Sequence, residues 1–156
     1  MPIDQLVAGI LADHSQSQHE LLPVLHKVQA AQGYVPQGVY PAIAEALNVS
    51  VAEVHGVVSF YTDFRTEPVG KHVVQICQSE SCQACGSREL TAHAEQLLGV
   101  ALGETRSDGA VTLQAVYCLG NCACSPAIAI DGESHALVDN TKLDALVAKV
   151  VGDMQS

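Results

Sequence analysis

The sequence is short of positive charge. Seven Lys and Arg stand against seventeen Asp and Glu, a formal net charge of −10 over 156 residues. Such a chain repels phosphate backbones and anionic lipid, so nucleic acid is not an expected partner. It also lacks any apolar run near the roughly 20 residues a membrane helix needs, and no direct membrane insertion is expected. Met1-Pro2-Ile3-Asp4-Gln5 carries an acid and no base, unlike a secretory leader, which makes a cytoplasmic location the expectation. Neither a G-x-G-x2-G run nor a P-loop occurs, so no nucleotide is expected on this chain itself. The histidines, His14, His19, His26, His55, His72, His93 and His135, form no H-x3-H or H-E-x2-H pattern and read as surface or hydrogen-bonded structural groups.

Hydrophobic content of 48% is ample for burial. Ile3-Leu6-Val7-Ile10-Leu11 follows the stripe of an amphipathic helix, and a polar break follows at 14–18. A second helix opens at Leu21, with Pro23 tolerable in its first turn, and stops at Gly33-Tyr34-Val35-Pro36. A third runs from about Gly38 to Leu47. Ser50 and Glu53 form a capping box that opens a fourth, ending near Tyr61. Arg65 to Gly70, with Pro68 and Gly70 close together, is the best boundary, dividing a helical segment at 1–66 from a second domain at 67–156.

After that boundary the period changes. His72 to Ile76 reads as a strand ending at Cys77, Ser87 to Leu98 as a helix, and Val111 to Tyr117 as a strand ending at Cys118. Ala127 to Ile130 and His135 to Val138, about the turn Asp131-Gly132, read as a hairpin, and Leu143 to Val150 as a closing helix. The expected fold class is α/β: an N-terminal helical segment, then a thioredoxin-like mixed sheet with helices packed on it.

Six cysteines remain, and a cytoplasmic chain keeps thiols reduced unless they bind metal or do redox work. Four lie in two strand-end loops, Cys77-x4-Cys82 and Cys118-Leu119-Gly120-Asn121-Cys122. Two separated thiolate pairs can hold a small iron-sulfur cluster, because soft sulfur selects zinc, Cu(I) or Fe-S centres. Gly86 and Gly120 leave room for tight turns whose amides can donate to sulfur. Only Arg88 supplies a cation nearby, so a low reduction potential is expected. Other choices among the six also make chemical sense. Cys77, Cys82 and Cys85 match the plant-type ferredoxin spacing; Cys82, Cys85, Cys122 and Cys124 could hold structural zinc; Cys82-Gln83-Ala84-Cys85 could be a catalytic dithiol; single thiols could be inert and buried.

Leu22 to Gln29 leading into Gly33-Tyr34-Val35-Pro36, Val54-His55-Gly56-Val57-Val58-Ser59-Phe60-Tyr61, Pro68 to His72, and the two cysteine motifs resemble a known family. It is the thioredoxin-like [2Fe-2S] subunit shared by complex I, NAD-reducing hydrogenases and NAD-dependent formate dehydrogenases. The resemblance implies that Cys77, Cys82, Cys118 and Cys122 are the ligands of one [2Fe-2S] cluster and that Cys85 and Cys124 are not. It further implies an electron-transfer subunit with no substrate of its own, docked on a flavoprotein that carries FMN and the NADH site. The segment before Arg65 is expected to supply much of that docking surface. Cys122-Ala123-Cys124-Ser125-Pro126-Ala127-Ile128, the compact length and the Ala-rich N-terminus look more like the γ subunit of a soluble formate dehydrogenase, which works beside a molybdenum-containing catalytic subunit, than like the complex I subunit. A zinc-stabilised interaction module is the alternative of a different class.

Overall fold

The structure is a computed structural model that describes residues 3–14 and 17–154. Met1, Pro2, Ser15 and Gln16, part of the N-terminal reading and of the polar break, lie outside the described residues. The chain divides into two compact units, Met1–Pro68 and Val69–Ser156.

The first unit is helical: α1 (Ile3–Ala12), α2 (Leu21–Gln32), α3 (Tyr40–Leu47) and α4 (Val51–Phe60). Its core gathers one apolar face from each, with Val7, Val24, Leu25, Ile43 and Val54 all buried. The helix ends follow from local chemistry. The Ser50 hydroxyl accepts from the Glu53 amide at 3.1 Å while the Ser50 amide donates to the Glu53 carboxylate at 2.7 Å, the reciprocal cap expected from sequence. A 3-10 turn at Gln37–Val39 leads into α3, which therefore starts at Tyr40 rather than Gly38. The Gln29 side chain donates to the Asp63 carbonyl and accepts from the Arg65 amide, both at 2.8 Å, tying the segment after α4 back to α2.

The second unit is built on four strands, β1 (His72–Cys77), β2 (Val111–Val116), β3 (Ile128–Ile130) and β4 (Glu133–His135), in the order β2-β1-β3-β4. β1 and β2 run parallel, with His72 opposite Val111 and Cys77 opposite Val116. A parallel pair needs a crossover, which the short α5 (Glu80–Ala84) and the longer α6 (Ser87–Leu98) supply. β3 lies antiparallel on the other side of β1, and β4 antiparallel to β3. The central position of β1 explains its apolar content: Val73, Val74, Ile76 and Cys77 are all buried. Leu90, Ala94 and Leu98 of α6, with Leu143 and Val147 of α7 (Asn140–Met154), pack on Val74, Ile76, Leu113 and Ile128.

Two details place the strands. A Cβ on Gly70 would lie 2.8 Å from the Val111 backbone nitrogen, so only glycine lets the chain enter β1 this close to β2. Asp131 (φ 50°) and Gly132 (φ 87°) make a two-residue turn that brings Glu133 directly opposite Ile130. The return strand therefore runs over Glu133–His135, earlier than the expected His135 to Val138. The Asp131 carboxylate also accepts from the Val73 amide at 2.8 Å, fastening the turn to the start of β1.

Candidate metal centre

Because β1 and β2 are parallel neighbours, their carboxyl ends leave the same edge of the sheet, and the loops after Cys77 and Val116 meet there. Cys77 is the last residue of β1, and Cys82 lies in α5 rather than in open loop. Cys118 follows β2 by two residues, and Cys122 opens a 3-10 turn at Cys122–Cys124. Backbone bonds lace the edge: the Cys77 amide donates to the Ala127 carbonyl at 3.1 Å and the Gln78 amide to the Val116 carbonyl at 2.7 Å. None of the six cysteines is joined in a disulfide.

The four sulfurs form two pairs. Cys118 Sγ and Cys122 Sγ are 3.6 Å apart, and Cys77 and Cys82 pack in one buried cluster. A tetrahedral metal holding two thiolates at about 2.3 Å sets their sulfurs about 3.8 Å apart, so the exposed pair already has the spacing of two ligands on one metal. Among the described residues no three His, Cys, Asp or Glu side chains converge on a single metal-ion position. Paired thiols are the donor set a two-iron centre uses, each pair serving one iron. The first pair is buried, with Cys77 and Cys82 each 1% exposed, and packs on Ala127, Val116 and Leu119. Cys118 and Cys122 are exposed.

Local strain and hydrogen bonds aim these sulfurs. Cys118 has φ 134°, a conformation that costs a non-glycine residue about 1–3 kcal/mol and is held where the surroundings over-determine it. Gly120, at φ 78°, lets the loop turn so that its amide donates to Cys118 Sγ at 3.3 Å. On the buried side, Ser79 Oγ is 3.0 Å from Cys77 Sγ and Ser125 Oγ is 3.4 Å from Cys82 Sγ. Ser81 Oγ donates to the Cys122 carbonyl at 2.9 Å and also meets Ser125 Oγ at 2.9 Å, so hydroxyls join the two loops. Sequence reasoning does not single out these serines; their only signal is a hydroxyl one or two residues from a cysteine.

The electrostatics follow from this crowding. Burial pushes the Cys77 thiol up, but hydrogen bonds from the Ser79 side chain and amide, from Cys82 and from the Leu119 amide together bring it below the ordinary thiol value. The Cys122 thiol is pushed up, first by its hydrogen bond with Cys118, then by the charge of that sulfur and by burial, and further by Cys82 and Cys77. One group feeling the other three places all four sulfurs in a common field. Four thiolates so arranged repel one another and call for a cationic centre among them.

Cys85 caps the end of α5 and borders a cavity of about 490 Å³ beside Ser125, Pro126 and Leu137, whereas Cys124 closes the 3-10 turn. Neither sulfur hydrogen-bonds to the other four among the described residues. Histidines do structural work: His72 bonds Asp131 and His93 bonds Asp144, each at 2.7 Å, the latter joining α6 to α7. Arg88, the lone base near the loops in sequence, bonds the Gln83 side chain at 2.9 Å.

A four-stranded mixed sheet with helices, carrying paired thiols on two strand-end loops, defines a metal-thiolate protein on a thioredoxin-like frame. The thioredoxin-like [2Fe-2S] ferredoxin family matches residues 7–151, and the chain belongs to it; its cofactor is a [2Fe-2S] cluster. Among relatives, the chain is 35% identical to an NADH-quinone oxidoreductase subunit of Rhizobium meliloti (strain 1021), over 94% of this chain and 88% of the relative. It is 40% identical to an NADH-quinone oxidoreductase subunit of Pseudomonas aeruginosa, over 73% and 69%. Among solved structures, an NAD+-reducing [NiFe]-hydrogenase in the air-oxidised state superposes with a TM-score of 0.71 at 22% identity, over 86% of this chain. That likeness shows the fold alone, and the chain spans 23% of the hydrogenase chain.

Proposed function

We propose that this chain is the electron-transfer subunit of a multi-subunit NAD-linked oxidoreductase, with Cys77, Cys82, Cys118 and Cys122 holding its [2Fe-2S] cluster. The observation that carries the reading is the arrival of two thiol pairs, one from each parallel strand end, at one sheet edge where serine hydroxyls join the loops. A bound cluster supplies one-electron transfer. The chain's own residues hold it: β1 and α5 place one pair in an apolar, hydrogen-bonded setting, while the Cys118–Cys122 loop presents the other at the surface. FMN and the NADH site belong to a partner flavoprotein in this reading, the helical segment 1–66 docks on it, and the assembly is cytoplasmic.

The parent complex in this proposal is a soluble formate dehydrogenase with a molybdenum-containing catalytic subunit, a reading that rests on the run from Cys122 to Ile128. A second reading, the equivalent subunit of NADH-quinone oxidoreductase, is favoured by the names of the relatives; a bidirectional hydrogenase has the same cluster chemistry. Anaerobic low-salt capture of the full chain decides. A flavin subunit with a molybdenum subunit is the expected outcome, membrane subunits would move the chain to the quinone-linked complex, and zinc without iron would overturn the electron-transfer reading. A chain starting at Glu67 should keep its visible spectrum yet bind the flavin subunit weakly; undiminished binding would remove the docking role of the helices.

A further inference from the structure

We propose that Ser79 and Ser125 set the reduction potential of the centre by donating hydroxyl hydrogen bonds to the buried sulfurs of Cys77 and Cys82, an inference that rests on those two cysteines being cluster ligands. Ser79 occupies the N-cap position of α5, where a serine hydroxyl ordinarily accepts from an amide of the first turn. It makes no such bond and instead lies 3.0 Å from Cys77 Sγ. Ser125 Oγ lies 3.4 Å from Cys82 Sγ. A free thiol can give or take a hydrogen in these contacts, but a thiolate ligand only accepts, so in the metal-bound protein both hydroxyls must be the donors.

The proton inventory allows it. Ser81 and Ser125 have two hydroxyl hydrogens between them and share the Cys122 carbonyl, at 2.9 and 3.0 Å, as an acceptor. Ser81 can share its hydrogen, as a three-centre bond, between that carbonyl and Ser125 Oγ 2.9 Å away, which frees the Ser125 hydrogen for Cys82. Ser81 is thus a positioning residue. An electron delivered by reduced flavin, or by dithionite in a titration, adds negative charge to the sulfurs; no bond breaks and the hydroxyl hydrogens stay on oxygen. Donors in an apolar surround favour that added charge, because hydrogen bonds to charged acceptors are stronger than neutral ones. The exposed pair has water and the Gly120 amide instead, so the serines act on the buried half.

The test uses the full chain purified anaerobically with its cluster. Ser79→Ala and Ser125→Ala should keep their iron while each makes the reduction equilibrium about tenfold less favourable, a fall of about 59 mV for one electron. Ser79→Thr and Ser125→Thr, which retain a hydroxyl, should restore most of the potential, and Ser81→Ala should give a smaller fall. Alanine variants with full iron and an unmoved potential would overturn the inference. If an alanine variant loses its iron, Ser79→Val or Ser125→Val, which has the shape of the threonine variant without its hydroxyl, decides: a potential below that of the threonine variant supports the hydroxyl donor, and an equal potential overturns it. An unmodified protein free of iron and sulfide would refute the cluster reading itself, a different failure from an unmoved potential.

Discussion

The two cysteine loops leave the same edge of one sheet, yet they meet different surroundings. The loop after β1 starts from a strand with neighbours on both sides, and its thiols, Cys77 and Cys82, are sealed by Ala127, Val116 and Leu119. The loop after β2 starts from the edge strand, and its thiols, Cys118 and Cys122, face solvent beside Tyr117, which is 68% exposed. Position within the strand order decides which pair is walled in. The difference teaches that two thiol pairs at one sheet edge can carry unequal structural duties: the inner pair belongs to the core, and in the proposed ligand set it serves the cluster as well.

Replacing any one of the four by serine tests the equality of the pairs as ligands and should have the largest effect, loss or strong perturbation of the paramagnetic signal of the reduced protein. Cys85→Ser and Cys124→Ser should largely preserve it. Retention of the signal in Cys118→Ser with loss in Cys85→Ser would assign the ligands to the other spacing. The inequality of the loops is next. Ile76→Ala, at a fully buried site one residue before Cys77, should cost about 2–5 kcal/mol in denaturant unfolding, whereas Tyr117→Ala, one residue before Cys118, should stay within about 0.5 kcal/mol. In metal-free protein, Cys77→Ser and Cys82→Ser should each cost about 1–3 kcal/mol, because a hydroxyl replaces sulfur in an apolar wall, and Cys118→Ser and Cys122→Ser should cost almost nothing. Equal costs would erase the distinction between the loops.

Much of this arrangement is legible in the residues. The β-branched run before Cys77 and the strand before Cys118 stand where expected, and Asp131-Gly132 announces the hairpin. α5 is not legible, because Glu80–Ala84 spans little more than one turn and too few residues to show a period. The return strand begins earlier than its sequence suggests because its alternation is weak: Glu133 and Ser134 are exposed, and only pairing with β3 makes them a strand. The burial of one thiol pair and the exposure of the other depend on the order β2-β1-β3-β4, which no local pattern encodes. The same holds for Ser125, whose partners Ser81 and Cys82 are more than forty positions away in the chain.

The smallest expected effect lies at the approach to β2, away from the thiols. Hydrogen bonds from Arg106, then from the Ala110 amide, hold the Asp108 carboxyl well below its ordinary 3.8, at about 2. A carboxyl depressed on folding contributes stability above pH 3.8 that is lost as pH falls through about 2. Asp108→Asn should therefore lower the unfolding midpoint slightly at neutral pH, with the gap to the unmodified protein closing in acid. A gap that widened in acid would contradict the assignment.

Metal and sulfide analysis of the full chain, purified anaerobically, tests the central claim most directly. Two thiol pairs from two strand ends predict a coloured protein with about two iron and about two acid-labile sulfides per chain. A colourless protein with zinc and no iron would contradict it.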